Sequence, residues 1–177
     1  MRKLMGAGLA IAAAAAAAVV AAACGEGRAI FNVDVYSFMK DDVDTIPYAA
    51  VPATTPPLRV TSLGLGNSSV DTARIVAGGT FLNGATGTGD VAVRVFFSVD
   101  SATTYDPANE KFTLSAVALQ LNESRDARDS IDLVADPVFQ EPFFFVGLRV
   151  EATSGTATGR FALNELRVRI VLRDDVF

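Results

Sequence analysis

The chain of 177 residues has no histidine and no tryptophan, and it has a single cysteine. The absence of histidine excludes Ser-His-Asp and Cys-His catalysis and removes the commonest zinc ligand. The absence of tryptophan removes a common platform on which sugars stack. One cysteine cannot form a disulfide within the chain, so packing must stabilise the fold. We therefore expect no catalytic site, no metal site, no cofactor and no enzymatic activity.

The first 25 residues have the layout of an export signal. Arg2 and Lys3 form a short positive region, and residues 4–20 form an apolar run composed mostly of alanine. Small residues then lead to Cys24. A positive start, an apolar stretch and a cleavage site of small residues together indicate a signal peptide.

Residues 21–24, Ala-Ala-Ala-Cys, resemble the lipobox of the bacterial lipoproteins. The resemblance implies a signal peptide over residues 1–23, which is removed, and lipidation of Cys24, which becomes the first residue of the mature protein. It also implies a diacylglycerol and a further acyl chain as the anchor, since one chain alone binds a membrane only marginally. Gly25 follows the cysteine instead of aspartate, which in Gram-negative members of the family implies transfer to the outer membrane. Residues 24–29 would then form a short tether.

Two other interpretations of this segment remain open. The apolar run has about 20 residues, which is enough for an uncleaved transmembrane helix, although alanine inserts less favourably than larger aliphatic residues. Cleavage by an ordinary signal peptidase after Ala23 would instead leave a soluble protein with a free thiol. In each interpretation the rest of the chain lies outside the cytoplasm.

The mature chain is acidic. Without Arg2 and Lys3 it has 13 basic residues against 20 acidic residues, which is a net charge of −7. Binding to nucleic acid depends on lysine and arginine side chains that neutralise phosphates, so we expect no nucleic-acid partner. The same balance disfavours attraction to an anionic bilayer by charge, so we expect the membrane to be bound through the lipid anchor.

The rest of the chain predicts a single all-β domain over residues 30–177. Apolar and polar residues alternate in short stretches separated by turn residues, and sustained helical periodicity is absent. The predicted strands cover residues 31–35, 58–65, 71–82, 90–99, 112–121, 130–134, 143–152 and 160–173. Seven or eight antiparallel strands in about 150 residues predict one β-sandwich, of the jelly-roll or immunoglobulin-like kind, with a closed barrel as the alternative.

Some irregularities are expected along these strands. Paired glycines at residues 78–79 predict a kink or a bulge, and a change of phase near residues 115–116 predicts a β-bulge. Residues 122–129 fit one helical turn or a loop. The proline-rich connection over residues 40–57 should be extended, and its length predicts a crossing between the sheets.

The core-facing positions follow from the alternation, because successive side chains of a strand point to opposite faces. We expect the core to contain Val33, Val35, Val93, Val95, Phe97, Phe144, Val146, Leu148, Val150, Val168, Ile170 and Leu172.

The candidate interaction surface lies on the last two predicted strands. Phe143 and Phe145 point away from the predicted core. If these strands form a hairpin across residues 153–159, the two rings lie on the same outer face as Arg167 and Arg169. Arginine stems could cover the rings within the molecule, but aromatic rings rimmed by arginine are also common at protein interfaces. Coverage of the rings within the molecule is the favoured interpretation, and the hypothesis kept beside it is that this face docks a partner protein.

Two acidic clusters have the oxygen ligands that calcium prefers. Neither has the spacing of an EF-hand loop, and aspartates in loops commonly bond to their own backbone, so no calcium site is expected. The clusters are Asp41, Asp42 and Asp44, and Asp126, Asp129 and Asp132.

Three functions remain open for the domain. The first is a structural or binding lipoprotein of the cell envelope that docks to another envelope protein. The second is an accessory extracytoplasmic subunit of an inner-membrane complex. The third is a carbohydrate-binding or carbohydrate-active module with a groove lined by Tyr36, Tyr48 or Tyr105, and this rests on fold analogy alone. We expect the first.

Overall fold

The computed structural model describes residues 28–39, 44–61 and 69–173. The predicted signal peptide, Cys24, Asp41 and Asp42 lie outside the described residues. Within the described ranges, no helix is long enough and apolar enough to cross a membrane.

Ten strands and four short 3-10 turns make up the regular structure of the described residues. In chain order the strands are β1 (Arg28–Asp34), β2 (Thr45–Tyr48), β3 (Ala53–Thr54), β4 (Leu58–Thr61), β5 (Ser69–Asn83), β6 (Gly89–Ser98), β7 (Glu110–Leu119), β8 (Ser124–Val134), β9 (Phe143–Gly155) and β10 (Gly159–Arg173). The turns are Tyr36–Phe38, Ser101–Thr103, Pro107–Asn109 and Pro137–Phe139. Because β1 begins at Arg28, the last two residues of the predicted tether belong to a sheet.

The strands form two antiparallel sheets. Sheet A has the order β1-β10-β5-β8, and β2 also pairs with β10. Sheet B has the order β3-β9-β6-β7, and β4 also pairs with β9. From β4 onward the chain changes sheet at every connection except the hairpin from β6 to β7. Two five-stranded sheets connected in this way form a jelly roll, which is one of the two sandwich types that the sequence predicted.

The core lies between the two sheets, and the residues buried there confirm the core positions that the alternation of apolar and polar residues predicted. Every residue of the predicted core is buried except Val33, which is half-buried and packs against the others. Phe97, Phe139 and Phe144 form a cluster in which each ring centroid lies within 5.6 Å of the other two. Burial of large apolar side chains is the main stabilising contribution in such a domain.

The predicted hairpin between the last two strands is wrong. β9 pairs with β3, β4 and β6 in sheet B, whereas β10 pairs with β1, β2 and β5 in sheet A. The short connection between them crosses from one sheet to the other. Both strands have one strongly apolar face, and placing them in opposite sheets buries those faces against each other.

Residues 122–129 were expected to form a helical turn or a loop, and this is wrong because most of them belong to β8. Among the described strands, β8 pairs with β5 alone, so it is an edge of sheet A. Its polar side chains bond across the sheet, and Asp126 accepts a 2.6 Å hydrogen bond from Thr80 Oγ1. Charged residues suit an edge strand, because they face water and discourage pairing with another chain.

The predicted bulges are present but displaced. In β7 the extra residue lies at 117–118, two residues beyond the expected position, and Ala118 there has a positive φ of 52°. In β10 the extra residue is Asn164, which lies opposite the paired glycines of β5. The irregularity predicted for the glycines is therefore on the partner strand.

The proline-rich connection crosses between the sheets, as expected. It contains β2 of sheet A and β3 of sheet B. Pro47 lies inside β2, opposite Arg160 of β10. Proline is tolerated there because β2 is a short strand at the edge of its sheet.

Candidate functional site

The four residues predicted to form one interaction surface lie on opposite sides of the sandwich. Phe143 and Phe145 are on the outer face of sheet B, and Arg167 and Arg169 are exposed on the outer face of sheet A. The rings do point away from the core, since both are only partly buried. The common surface is absent because it required the hairpin that the structure does not form.

A groove of about 420 Å³ lies on the outer face of sheet A and contains both of the predicted arginines. We call it the β5 groove, although its lining residues come from β1, β10, β5 and β8. Its outer walls and floor are formed by Asn32, Asp34, Arg74, Val76, Arg128, Glu165, Arg167 and Arg169. Its volume is within the range of ordinary ligand-binding clefts.

The groove exists because the outward positions of β5 carry small side chains while those of its neighbours are long. Val76 lies opposite Arg167 of β10, and Gly78 lies opposite Glu165 of β10 and Arg128 of β8. Val76 and Gly78 are therefore short positions between the long side chains of Arg167, Glu165 and Arg128. A Cβ atom on Gly78 would lie 3.4 Å from the Arg128 side chain.

One end of the groove is closed by an ion-paired cluster. Arg128 donates from Nε to Glu165 Oε2 at 2.6 Å and from Nη2 to Oε1 at 3.2 Å. Arg167 Nη1 lies 3.5 Å from the same Oε1. The bond from Arg128 lowers the pKa of Glu165, and it raises the pKa of Arg128. At this end Arg128 and Arg167 therefore share the carboxylate of Glu165.

The other end of the groove carries positive charge that is poorly matched. Arg74 of β5 and Arg169 of β10 are direct cross-strand partners. Arg74 donates to Ser130 Oγ at 2.9 Å and lies 3.9 Å from Asp132. Arg169 makes no ion pair or side-chain hydrogen bond with any residue that the structure describes. Like charges directly opposite each other on a sheet are unfavourable.

On sheet B the predicted phenylalanines are covered by a different arginine. The guanidinium of Arg59 lies 4.1 Å from the centroid of the Phe143 ring, and Phe143 contacts Phe145 edge to face at 5.9 Å. Arg59 is on β4, in register with Phe145. The expected stacking of arginine on phenylalanine is therefore present, but Arg59 provides it and the contact is within one molecule.

Further along sheet B, the loop after β6 folds over the outer face. The Tyr105 ring contacts the Phe96 ring at 5.3 Å, and Arg149 lies over both rings. The Tyr105 hydroxyl bonds to Thr55, and burial raises the pKa of Tyr105. This loop explains why Phe96 is buried although it points out of the sandwich.

The acidic cluster of Asp126, Asp129 and Asp132 forms no cation site, and most of the other acidic cluster lies outside the described residues. Among the described residues, no group of three or more histidine, cysteine, aspartate or glutamate side chains is arranged to hold a metal. A spacing of three residues on a strand alternates between faces, so Asp129 points away from Asp126 and Asp132. Of the other cluster only Asp44 is described, and it accepts a 3.1 Å hydrogen bond from the neighbouring Thr45.

The three tyrosines proposed to line a carbohydrate groove lie in separate places. Tyr48 is buried in the core, where desolvation raises its pKa to about 12. Tyr36 lies in the turn after β1, where its hydroxyl donates to Asp44 at 3.4 Å. Tyr105 belongs to the loop over sheet B. These three residues do not share one surface.

Of the charged residues that line the groove, sequence reasoning found Arg167 and Arg169 and missed Asp34, Arg74, Arg128 and Glu165. The alternation along β5 does indicate that Arg74 points to solvent, whereas Arg128 lies in the segment that was expected to be a helical turn or a loop. Their proximity to Arg169 and Arg167 depends on the order of strands in sheet A, which alternation does not indicate.

The fold and the groove define a jelly-roll domain with an arginine-rich outer face on sheet A. No protein-family model matches the chain, and no curated protein matches it. Among solved structures it is similar to Eiger TNF from S. frugiperda, with a TM-score of 0.35, 8% identity, and coverage of 75% of this chain and 94% of that chain. It is also similar to infectious bursal disease virus of the Gx strain, with a TM-score of 0.41, 8% identity, and coverage of 98% of this chain. The chain spans 39% of that viral chain. Similarities this distant carry no functional argument.

Proposed function

We propose that this protein is a lipoprotein of the bacterial cell envelope, anchored through Cys24, whose jelly-roll domain docks another envelope protein and catalyses no reaction. The observation that carries the docking role is the charge of the β5 groove. Four arginines and two carboxylates line it, in a chain whose net charge is −5. A positive cleft on an acidic protein attracts a negatively charged partner.

The lipid anchor is supported by the lipobox-like residues before Cys24 and by the short distance from this residue to the domain. β1 begins at Arg28, four residues after the cysteine. Four extended residues span about 14 Å. The domain would therefore stay close to the membrane, with the start of β1 nearest to it.

The groove is then oriented for a partner that is also bound to the membrane or lies just above it. Asn32 and Asp34, which line the groove, are at the far end of β1 from Arg28. The rise of a strand is about 3.3 Å per residue. The groove would open roughly 13–20 Å beyond the point where the tether joins the domain. In a Gram-negative cell, Gly25 after the cysteine favours the outer membrane for this location.

Site-specific photocrosslinking in living cells tests the proposal. A photoreactive amino acid is placed at Asn32, in the groove, and at Arg160, which is exposed on the same sheet face but outside the groove. We expect an adduct with an envelope protein from position 32 and none from position 160. Equal adducts from both positions, or none from either, would contradict the docking role.

Membrane fractionation of the same cells and the chemical nature of the adduct distinguish the proposal from the other two functions. Recovery of the protein and its adduct with the inner membrane would favour an accessory subunit of an inner-membrane complex. An adduct with polysaccharide would favour the carbohydrate-binding module. Recovery with the outer membrane, and a protein adduct, supports the proposal.

A further inference from the structure

Arg169 has no ion pair among the described residues of the β5 groove, and its neighbour Arg74 is only loosely paired, 3.9 Å from Asp132. They are opposite each other on neighbouring antiparallel strands, so their Cβ atoms are about 5 Å apart. The Arg74 side chain is 52% exposed, and Arg169 is exposed as well. Both guanidiniums can therefore reach a ligand in the groove, and no carboxylate among the described residues lies between them.

We infer that the β5 groove binds an extended acidic segment of the partner protein, with one carboxylate of that segment held between Arg74 and Arg169. This inference rests on the proposed docking function and names the chemistry of the docked segment. Guanidinium groups bind carboxylates through paired, charge-assisted hydrogen bonds. The bound carboxylate would also remove the repulsion between the two arginines.

The floor of the groove sets the shape of the segment. Arg74 and Val76 are two residues apart on one face of β5, so their side chains are about 6.6 Å apart. An extended segment presents its own side chains i and i+2 at the same spacing. A carboxylate over Arg74 would therefore be followed, two residues on, by an apolar side chain over Val76.

The ion-paired end of the groove sets the direction and limits the charge of the segment. Glu165 lies at this end and is bonded to Arg128. Its two hydrogen bonds already occupy the Arg128 guanidinium, whereas Asp132 lies 3.9 Å from Arg74, so the acidic residue belongs at the Arg169 end. A single carboxylate fits this arrangement better than a continuous row of phosphates, and the acidity of the whole chain opposes a polyanion.

Binding of a defined peptide to the full lipidated chain in detergent micelles tests this inference. The probe is a dye-labelled peptide of eight residues that contains Glu-Thr-Ala flanked by glycine and serine, and its matched control has Gln in place of Glu. Fluorescence anisotropy gives the affinities. We expect the Glu peptide to bind at least about tenfold more tightly than the Gln peptide, and added salt should weaken the binding.

Three variants locate the site. Arg74→Gln and Arg169→Gln should each weaken binding of the Glu peptide by about tenfold. Arg160→Gln removes an exposed arginine from the same strand as Arg169 but outside the groove, and it should leave the affinity unchanged. Equal binding of the two peptides, or equal effects of all three variants, would overturn the inference.

Competition separates the acidic segment from other anions. Inorganic phosphate or vesicles of phosphatidylglycerol that displace the peptide, and that bind more tightly than it does, would overturn the assignment to a protein segment. The crosslinking experiment tests the proposed docking, and the peptide experiment tests the acidic segment, so either proposal can be contradicted without the other. Crosslinking at Asn32 without peptide binding removes only the acidic segment, whereas peptide binding without any envelope adduct removes the proposed docking in the envelope.

Discussion

The carboxylate of Asp90 on β6 accepts a 2.7 Å hydrogen bond from the backbone nitrogen of Ala118 on β7. Ala118 occupies the bulge of β7 and has a positive φ, which is unfavourable for a residue with a side chain. The bond to Ala118 lowers the pKa of Asp90, and a bond from Ser154 lowers it further. The charged form of Asp90 therefore stabilises the strained bulge.

We predict that Asp90→Asn lowers the free energy of unfolding at neutral pH and that this loss shrinks in acid. The pKa of Asp90 is lower in the folded than in the unfolded state. Its contribution to stability is then fully present above the unfolded pKa of about 3.9 and is lost as the pH falls through the folded pKa. Urea unfolding of both proteins at about pH 7 and about pH 3 measures the difference. A difference that is independent of pH would contradict the role of the charged carboxylate.

Gly79→Ala should destabilise the domain while Gly78→Ala should not. A Cβ atom on Gly79 would overlap the Phe161 ring and lie 2.5 Å from the carbonyl oxygen of Ala162. Overpacking of this kind costs about 1–3 kcal/mol. A Cβ atom on Gly78 points to the outer face, where its nearest neighbours are two side-chain atoms at 3.4 Å and the carbonyl oxygen of Ala127 at 3.6 Å. These are ordinary contacts, so the effect should be within about 0.5 kcal/mol. Chemical unfolding of the two variants provides a matched comparison, and equal losses would mean that the two faces are assigned wrongly.

Truncation of the aromatic cluster should be among the most damaging changes in the core. Phe97→Ala and Phe144→Ala each leave a cavity between the sheets and should lower the free energy of unfolding by about 3–5 kcal/mol. Because the two rings touch, the double variant should lose less than the sum of the single losses. Phe143→Ala, on the outer face, is the control and should cost less than half as much as Phe144→Ala. A larger loss for Phe143→Ala would contradict the assigned core.

Cys24→Ser should abolish acylation and either release the domain from the membrane or block processing of the signal peptide. The reason is that the thiol is the group to which the diacylglycerol is attached in the lipoproteins that the segment resembles. Mass measurement of the mature N-terminus, together with membrane fractionation, tests this. A wild-type protein that begins at residue 1 with an unmodified thiol would refute the prediction.

Reversal of charge in the groove should remove partner binding without unfolding the domain. Arg167 and Arg169 are exposed, so their replacement by glutamate should change the free energy of unfolding by only about 1 kcal/mol. The crosslink from Asn32 should disappear, since the two new carboxylates repel an acidic partner. Arg160→Glu carries the same type of change outside the groove and should retain the crosslink. A crosslink that survives the double reversal would show that charge does not direct the docking.

The strand pattern of this chain could be predicted well where it depends on one strand at a time. The alternation around Phe97 and Phe144 placed both rings in the core, because the period of two is a local property of extended backbone. The same reasoning failed for residues 122–129, since charged side chains are common in loops and equally tolerated on a solvated edge strand. It also placed the β7 bulge two residues too early. A change of phase in the apolar positions shows that the strand contains an extra residue, but it does not show at which position the backbone accommodates that residue.

The position of the candidate site depends on which strands pair, and the alternation along a single strand does not indicate this. Phe143 and Arg169 were expected on one face, but they lie on opposite faces because β9 and β10 join different sheets. Arg74 and Arg169 are distant in sequence, and they are neighbours only because β10 lies between β1 and β5 in sheet A. The guanidinium that covers Phe143 comes from Arg59 on β4, a strand far from it in the chain.

The sequence by itself determined the class of fold, the faces of the principal strands and the residues of the core, because each follows from the spacing of apolar side chains along extended backbone. Only the tertiary structure decided which strands are neighbours, and hence that Arg74 and Arg169 share a groove. The physical reason is that lateral pairing is selected by the burial of two whole sheets against each other. That burial depends on all the strands together, and no short window of residues specifies it.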